Sequence, residues 1–109
     1  MMITEIRLLT NSLEISEKFW AATYPDATVE RGTDRWGRAW IRIAPEAGPA
    51  VRIAEAVEWR QITTVDMEVR VDAGAADRLR EAGFEVAHDG SQAVDVNATD
   101  ATIQLEGRP

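Results

Sequence analysis

Carboxylates and arginines recur at two-residue spacing in two separated stretches: Glu5 and Arg7 within Thr4 to Thr10, and Asp66, Glu68 and Arg70 within Thr63 to Asp72. In an extended chain alternate side chains share a face. These polar groups therefore project to one side, while Ile6 and Leu8, or Val65, Met67, Val69 and Val71, project to the other. If the two strands adjoin, Glu5, Asp66 and Glu68 bring together carboxylates that could bind a hard cation or share a proton at a raised pKa. The plainer reading is a solvated sheet face on which Arg7, Arg42 and Arg70 balance the acids, since alternating charge on an open sheet needs no special cause. A third reading is a site for a small polar or aromatic organic molecule, with Arg7 or Arg42 pairing an anionic group and Trp40 supplying a flat apolar wall.

Other chemistries have less to stand on. His88 is the only histidine, and beside Asp89-Gly90-Ser91 it reads as part of a hairpin turn, not as a catalytic set. The chain has no cysteine, which removes thiolate metal sites, disulfides and a nucleophilic thiol together and is compatible with the cytosol. No Walker loop, dinucleotide fingerprint, zinc spacing or calcium-loop pattern occurs.

The elements that position these residues follow from periodicity and punctuation. After the first strand, Asn11 or Ser12 is a suitable N-cap, with Glu14 placed to complete a capping box from Asn11. Ile15, Phe19 and Ala22 form the apolar stripe of the helix that follows, with core-forming Trp20 beside them, and Tyr24-Pro25-Asp26 ends it. Ala27 to Thr33 and Ala39 to Ile43 are predicted as a hairpin about a turn at Asp34 to Gly37, and Ala50 to Ala54 as a third short strand. Glu55 to Gln61 connects two halves. The scheme then repeats: the strand ending at Asp72, a helix over Ala73 to Ala82 capped by Asp72, with Ala75, Ala76 and Leu79 inward and Gly83 as its stop, then strands at Phe84 to Ala87, Ala93 to Ala98 and Ala101 to Leu105. Setting Glu5 against Thr64 gives an offset of 59, a match of pattern with few identities. Burial is the expectation for both Trp36, near a turn, and Trp59, in the connector.

Composition bounds the answer from outside. A chain of 109 residues, 45% apolar and 28% charged, is one ordinary folded domain. Twelve Lys and Arg against nineteen Asp and Glu give a net charge of −7, which repels a phosphate backbone, and no basic stripe offsets it; nucleic acid is not an expected partner. No apolar window approaches the roughly eighteen residues of a membrane span and no leader pattern opens the chain, so the expectation is a cytoplasmic protein without a membrane partner.

With its paired βαβββ pattern, the chain resembles the glyoxalase and bleomycin-resistance group of the vicinal oxygen chelate superfamily, in its compact glyoxalase-like form. Ser12-Leu13-Glu14-Ile15-Ser16-Glu17-Lys18-Phe19-Trp20 is similar to the family's D-L-x-x-S-x-x-F-Y, Trp40-Ile41-Arg42-Ile43 precedes a Pro-Gly turn, and Val65-Asp66-Met67-Glu68-Val69 leads to Leu79 and Ala82-Gly83. The resemblance implies an α+β fold: two βαβββ modules, about 1–58 and 59–109 of a single domain spanning 1–109, curling a mixed sheet into a cup with two helices on its outer face. It also implies a small-molecule site in the cup and, in the enzymes, a divalent metal that chelates vicinal oxygens, held from the leading and last strands of each half. Those four positions match Glu5, Thr64 in place of histidine, Gln104 in place of a carboxylate, and either Ala54 or Glu55.

The expectation is therefore a glyoxalase-like protein that binds a small organic ligand through Glu5, Arg7, Trp40, Arg42, Thr64, Asp66, Glu68 and Gln104, with no metal centre and no cofactor. One alternative is a divalent-metal-dependent lyase, isomerase or dioxygenase with Glu5 or Asp66 as base. Another is a non-catalytic interaction module that uses exposed tryptophans, and the resemblance implies a homodimer as an available assembly.

Overall fold

The structure, a computed structural model, describes residues 4–55, 66–95 and 101–108. Its elements run β1 (Glu5–Thr10), α1 (Leu13–Thr23), β2 (Thr28–Thr33), β3 (Ala39–Ala44), β4 (Ala50–Glu55), β5 (Asp66–Asp72), α2 (Ala75–Glu81), β6 (Glu85–Val86), β7 (Gln92–Asp95) and β8 (Ala101–Arg108). They form two four-stranded sheets of the same design, β1-β4-β3-β2 and β5-β8-β7-β6. In each the leading strand pairs parallel with the last and the remaining pairs are antiparallel, so each half is a βαβββ unit in an α+β architecture. The expected boundary near 58–59, together with Trp59 and Thr64, lies outside the described residues.

Alternation decides which face of the first sheet is dry. Leu8 of β1, Ile41 and Ile43 of β3, and Val51 and Ile53 of β4 are buried and cluster with Phe19 and Trp20 of α1. In the second half Val71, Ala75, Leu79 and Ala93 join the same core. Val71 is buried and Val69 packs against the core, on the inward face read from the sequence, while Val65 and the Met67 side chain lie outside what is described. Phe19 joins the halves, meeting Phe84 edge to face with ring centroids 5.1 Å apart.

Helix α1 differs from the sequence expectation by a rotation of one residue. Its buried positions are Ser16, Phe19, Trp20 and Thr23, while Ile15 is exposed. The stripe tolerates two hydroxyls because each has a partner: Thr23 Oγ1 donates to the Phe19 carbonyl at 2.9 Å and Ser16 Oγ donates to Asp95 Oδ2 at 2.7 Å. Ser12 is the N-cap, accepting from Ile15 N–H at 3.3 Å, which puts Glu14 one position short of a capping box.

The second helix also departs from expectation. It begins at Ala75 without a side-chain cap; Asp72 accepts instead from Gly74 N–H in the preceding turn. Gly83 does stop it, at φ +93, with Phe84 N–H reaching the Leu79 carbonyl and Gly83 N–H the Arg80 carbonyl. Strand β6 shrinks to Glu85–Val86 and β8 extends to Arg108. Trp36, expected to be covered, is 74% exposed at the β2–β3 turn, where side-chain acceptance by Asp34 Oδ1 from Trp36 N–H and Arg38 N–H fixes the backbone without any apolar cover.

Candidate functional site

The face of the first sheet turned away from α1 carries the candidate chemistry. Register places Arg7 beside Arg52, Arg52 beside Arg42 and Arg42 beside Glu30, one row across all four strands. The next row runs Leu9, Ala54, Trp40 and Gly32. Neighbouring strands lie about 4.8 Å apart, so three adjacent arginines must each be balanced or stacked.

Two of them are balanced. Glu5 accepts from Arg7 Nε at 2.8 Å on Oε2 and from Arg42 Nε at 2.9 Å on Oε1, and Arg42 also reaches Glu30 at 3.4 Å. The hydrogen bond from Arg7, then that from Arg42, holds the Glu5 carboxyl below the ordinary carboxylate range. A carboxylate so held is a weaker base than a free one, which argues against Glu5 as a proton acceptor.

Arg52 is stacked. Its guanidinium lies over the Trp40 ring, 4.5 Å from the centroid, and among the described residues it makes no ion pair. The indole itself occupies space left by Gly32: a Cβ there would fall 2.5 Å from Trp40 Cζ2 and 2.8 Å from Cε2. Arg52, Arg7, Leu9, Ala54, Asp34 and Arg38 surround a cavity of about 220 Å³. Arg38 sits 3.4 Å from Asp34 Oδ2, yet its Nε is buried with no hydrogen-bond acceptor. Asp34 is held ionised below its ordinary value, first by the backbone N–H of Arg38.

The residues predicted from sequence are thus only partly gathered. Glu5, Arg7, Trp40 and Arg42 share this face, but of these only Arg7 lines the cavity. Glu68 lines a separate hollow of about 380 Å³ between the halves, with Ile6, Tyr24, Val51 and Arg70, where burial raises the Tyr24 phenol. Asp66 and Gln104 enter only through backbone register, paired with Thr102 and Glu68. Arg52 and Arg38 were not among the expected site residues. The alternation Val51-Arg52-Ile53 is a signal for an outward Arg52, but its place beside Arg7 comes from the parallel β1–β4 pairing.

The described donors do not suit the divalent metal that the family resemblance implies. Both Glu5 oxygens are engaged by guanidinium groups, the arginine row would repel a second cation, and no group of three His, Asp or Glu side chains converges among the described residues. Among the described residues no helix is long and apolar enough to cross a membrane.

Comparison with solved structures identifies the fold. The fosfomycin resistance protein FosX of Listeria monocytogenes is 15% identical and superposes with a TM-score of 0.71 over 98% of this chain and 91% of its own. The same protein has been solved with Mn(II) and a sulfate ion. TnmS3, an antibiotic binding protein from Streptomyces, is 15% identical with a TM-score of 0.66, covering 100% of this chain and 97% of its own. A possible glyoxalase from Bacillus cereus is 17% identical with a TM-score of 0.57, covering 97% and 98%. No family model matches the chain, and no curated protein matches it. Two βαβββ units with matching strand order, superposing on these proteins over nearly their whole lengths, give this chain the fold they share, that of a glyoxalase-like protein.

Proposed function

We propose that this chain is a small-molecule-binding protein whose organic ligand sits on the open face of the first sheet, over β1 and β4, without a metal centre. The observation that carries the reading is the Arg7-Arg52-Arg42 row bordering a cavity of about 220 Å³, with Trp40 stacked under Arg52. Concave sites with an apolar floor and a few convergent polar groups are where ligands bind, and here Leu9 and Ala54 supply the floor. The antibiotic binding by TnmS3 supports a sequestering role on this fold, although fold alone does not carry function. Binding here holds the ligand through arginine donors and excludes water with Leu9 and Ala54; Glu5, committed to two guanidinium groups, takes no proton from it.

The test is a crystal grown from the protein as purified and then soaked with a panel of small organic acids and aromatics. Ligand density between Arg7, Arg52 and Arg38 is the expected result. Density confined to the hollow beside Glu68 and Tyr24, or stoichiometric divalent metal in elemental analysis, would overturn the reading in favour of another site or of metal-dependent chemistry.

A further inference from the structure

Building on that reading, we infer that the ligand is a small monoanionic organic acid, that Arg52 is its anchor, and that Trp40 and Gly32 are the seat that aims Arg52. The three arginines that line the cavity and Arg42 beside it are not equivalent. Arg7 and Arg42 have their Nε–H groups taken by Glu5. Arg52 has no ion pair among the described residues, and Arg38 leaves a buried Nε–H without an acceptor. Arg52 is therefore the one guanidinium of the four without a carboxylate partner among the described residues.

Charge and size narrow the class. Arg7, Arg38, Arg42 and Arg52 face Glu5, Glu30 and Asp34, which leaves one positive charge in a protein of net −7. One negative charge completes the balance; a dianion or a metal ion does not. A volume of about 220 Å³ lies below the roughly 300–1,000 Å³ of pockets for drug-sized ligands, so the acid is smaller than those. Leu9 and Ala54 on the floor favour an apolar or flat body behind the acid group.

The seat explains why Arg52 is usable. A guanidinium held over an aromatic ring is restrained in position while N–H donors directed away from the ring stay available to a carboxylate. Without the ring the side chain samples many rotamers and loses more entropy on binding. The ring in turn needs Gly32, because a Cβ at that position would overlap Cζ2 and Cε2 of the indole. Gly32 and Trp40 are positioning residues, and neither contributes a charge.

Benzoate and its neutral isostere benzamide are the probes, followed on the intact protein through the Arg Nε–H and Trp indole N–H resonances. Benzoate should shift Arg52 Nε–H and Trp40 indole N–H saturably, with a Kd on the order of a millimolar, and benzamide should not. Arg52→Gln should weaken benzoate by about tenfold or more, the scale of a charge-assisted hydrogen bond, while Arg35→Gln leaves it unchanged. Gly32→Ala should weaken it several-fold at unchanged net charge, and Trp40→Leu repeats that test without altering β2. Equal binding of both probes, or wild-type affinity in Arg52→Gln, would overturn the anion assignment and leave the small-molecule reading standing. Binding of neither probe would overturn both.

Discussion

In the first half the open face carries Arg7, Arg52 and Arg42 in adjacent register positions; in the second, the exposed side chains described on β5 and β6 include Glu68 and Glu85. The strand order is the same and the charge is opposite in tendency. The framework is also better built on the arginine side. Helix α1 has eleven residues and a Ser12 cap, whereas α2 has seven and no side-chain cap; β2 and β3 pair over six residues, β6 and β7 over two. A site that depends on aiming a guanidinium gains from a capped helix and a fully paired hairpin beneath it. The duplicated backbone is thus compatible with one half doing the binding and the other completing the core.

The contrast is broken most severely through the shared core. Phe19→Ala should cost about 3–5 kcal/mol and Leu79→Ala about 2–5 kcal/mol, read from urea unfolding. Both side chains are fully buried. With Phe19 seated on Phe84, each variant should still unfold in one step; a separate early transition in Leu79→Ala would make the halves independent.

A smaller effect should come from the polar bridge between halves. Ser16 Oγ lies 2.7 Å from Thr10 Oγ1 and donates to Asp95 Oδ2, and all three side chains are buried. Ser16→Ala should cost about 1 kcal/mol or somewhat more, the scale of removing one hydrogen bond to a buried charged group. A loss no larger than that of an exposed substitution such as Lys18→Ala would remove this bridge from the account.

The smallest predicted effects are in the acid limb of stability. Glu5 and Asp72 both have carboxyl pKa values lowered in the folded state, by Arg7 and Arg42 and by Arg78 respectively. Each therefore adds stability that is present above its ordinary value, 4.5 for Glu5 and 3.8 for Asp72, and that is lost as pH falls through the lowered folded value. Glu5→Gln should flatten the acid limb more than Asp72→Asn, because the Glu5 side chain is 19% exposed and that of Asp72 57%, so solvent screens the latter more. The reverse order in pH-dependent melting would reverse the comparison of the two halves.

Much of the architecture is legible in the sequence because alternation and turn residues act locally. The βαβββ repeat, the β2–β3 hairpin about Asp34 to Gly37, the buried Trp20 and the stop at Gly83 all follow from neighbours in the chain. What escapes depends on partners far away. The α1 face turns toward Ser16 because Asp95, 79 residues on, accepts its hydroxyl. Trp36 is exposed because Asp34 organises its turn without apolar cover. In the site, the outward Glu5, Arg7, Trp40 and Arg42 follow from alternation, but Glu5 bridging two arginines, Arg52 between Arg7 and Arg42, and Trp40 filling the place of a Gly32 side chain are products of strand pairing.

The measurement that bears most directly on metal-free ligand binding by the first half is the melting temperature of wild-type, Glu5→Ala and Arg52→Gln protein, each with Mn(II), with Zn(II) and with millimolar benzoate. The account predicts stabilisation of the wild type by benzoate, loss of that stabilisation in Arg52→Gln, and no stabilisation by either metal. Stabilisation of the wild type by Mn(II) or Zn(II) that disappears in Glu5→Ala would contradict it.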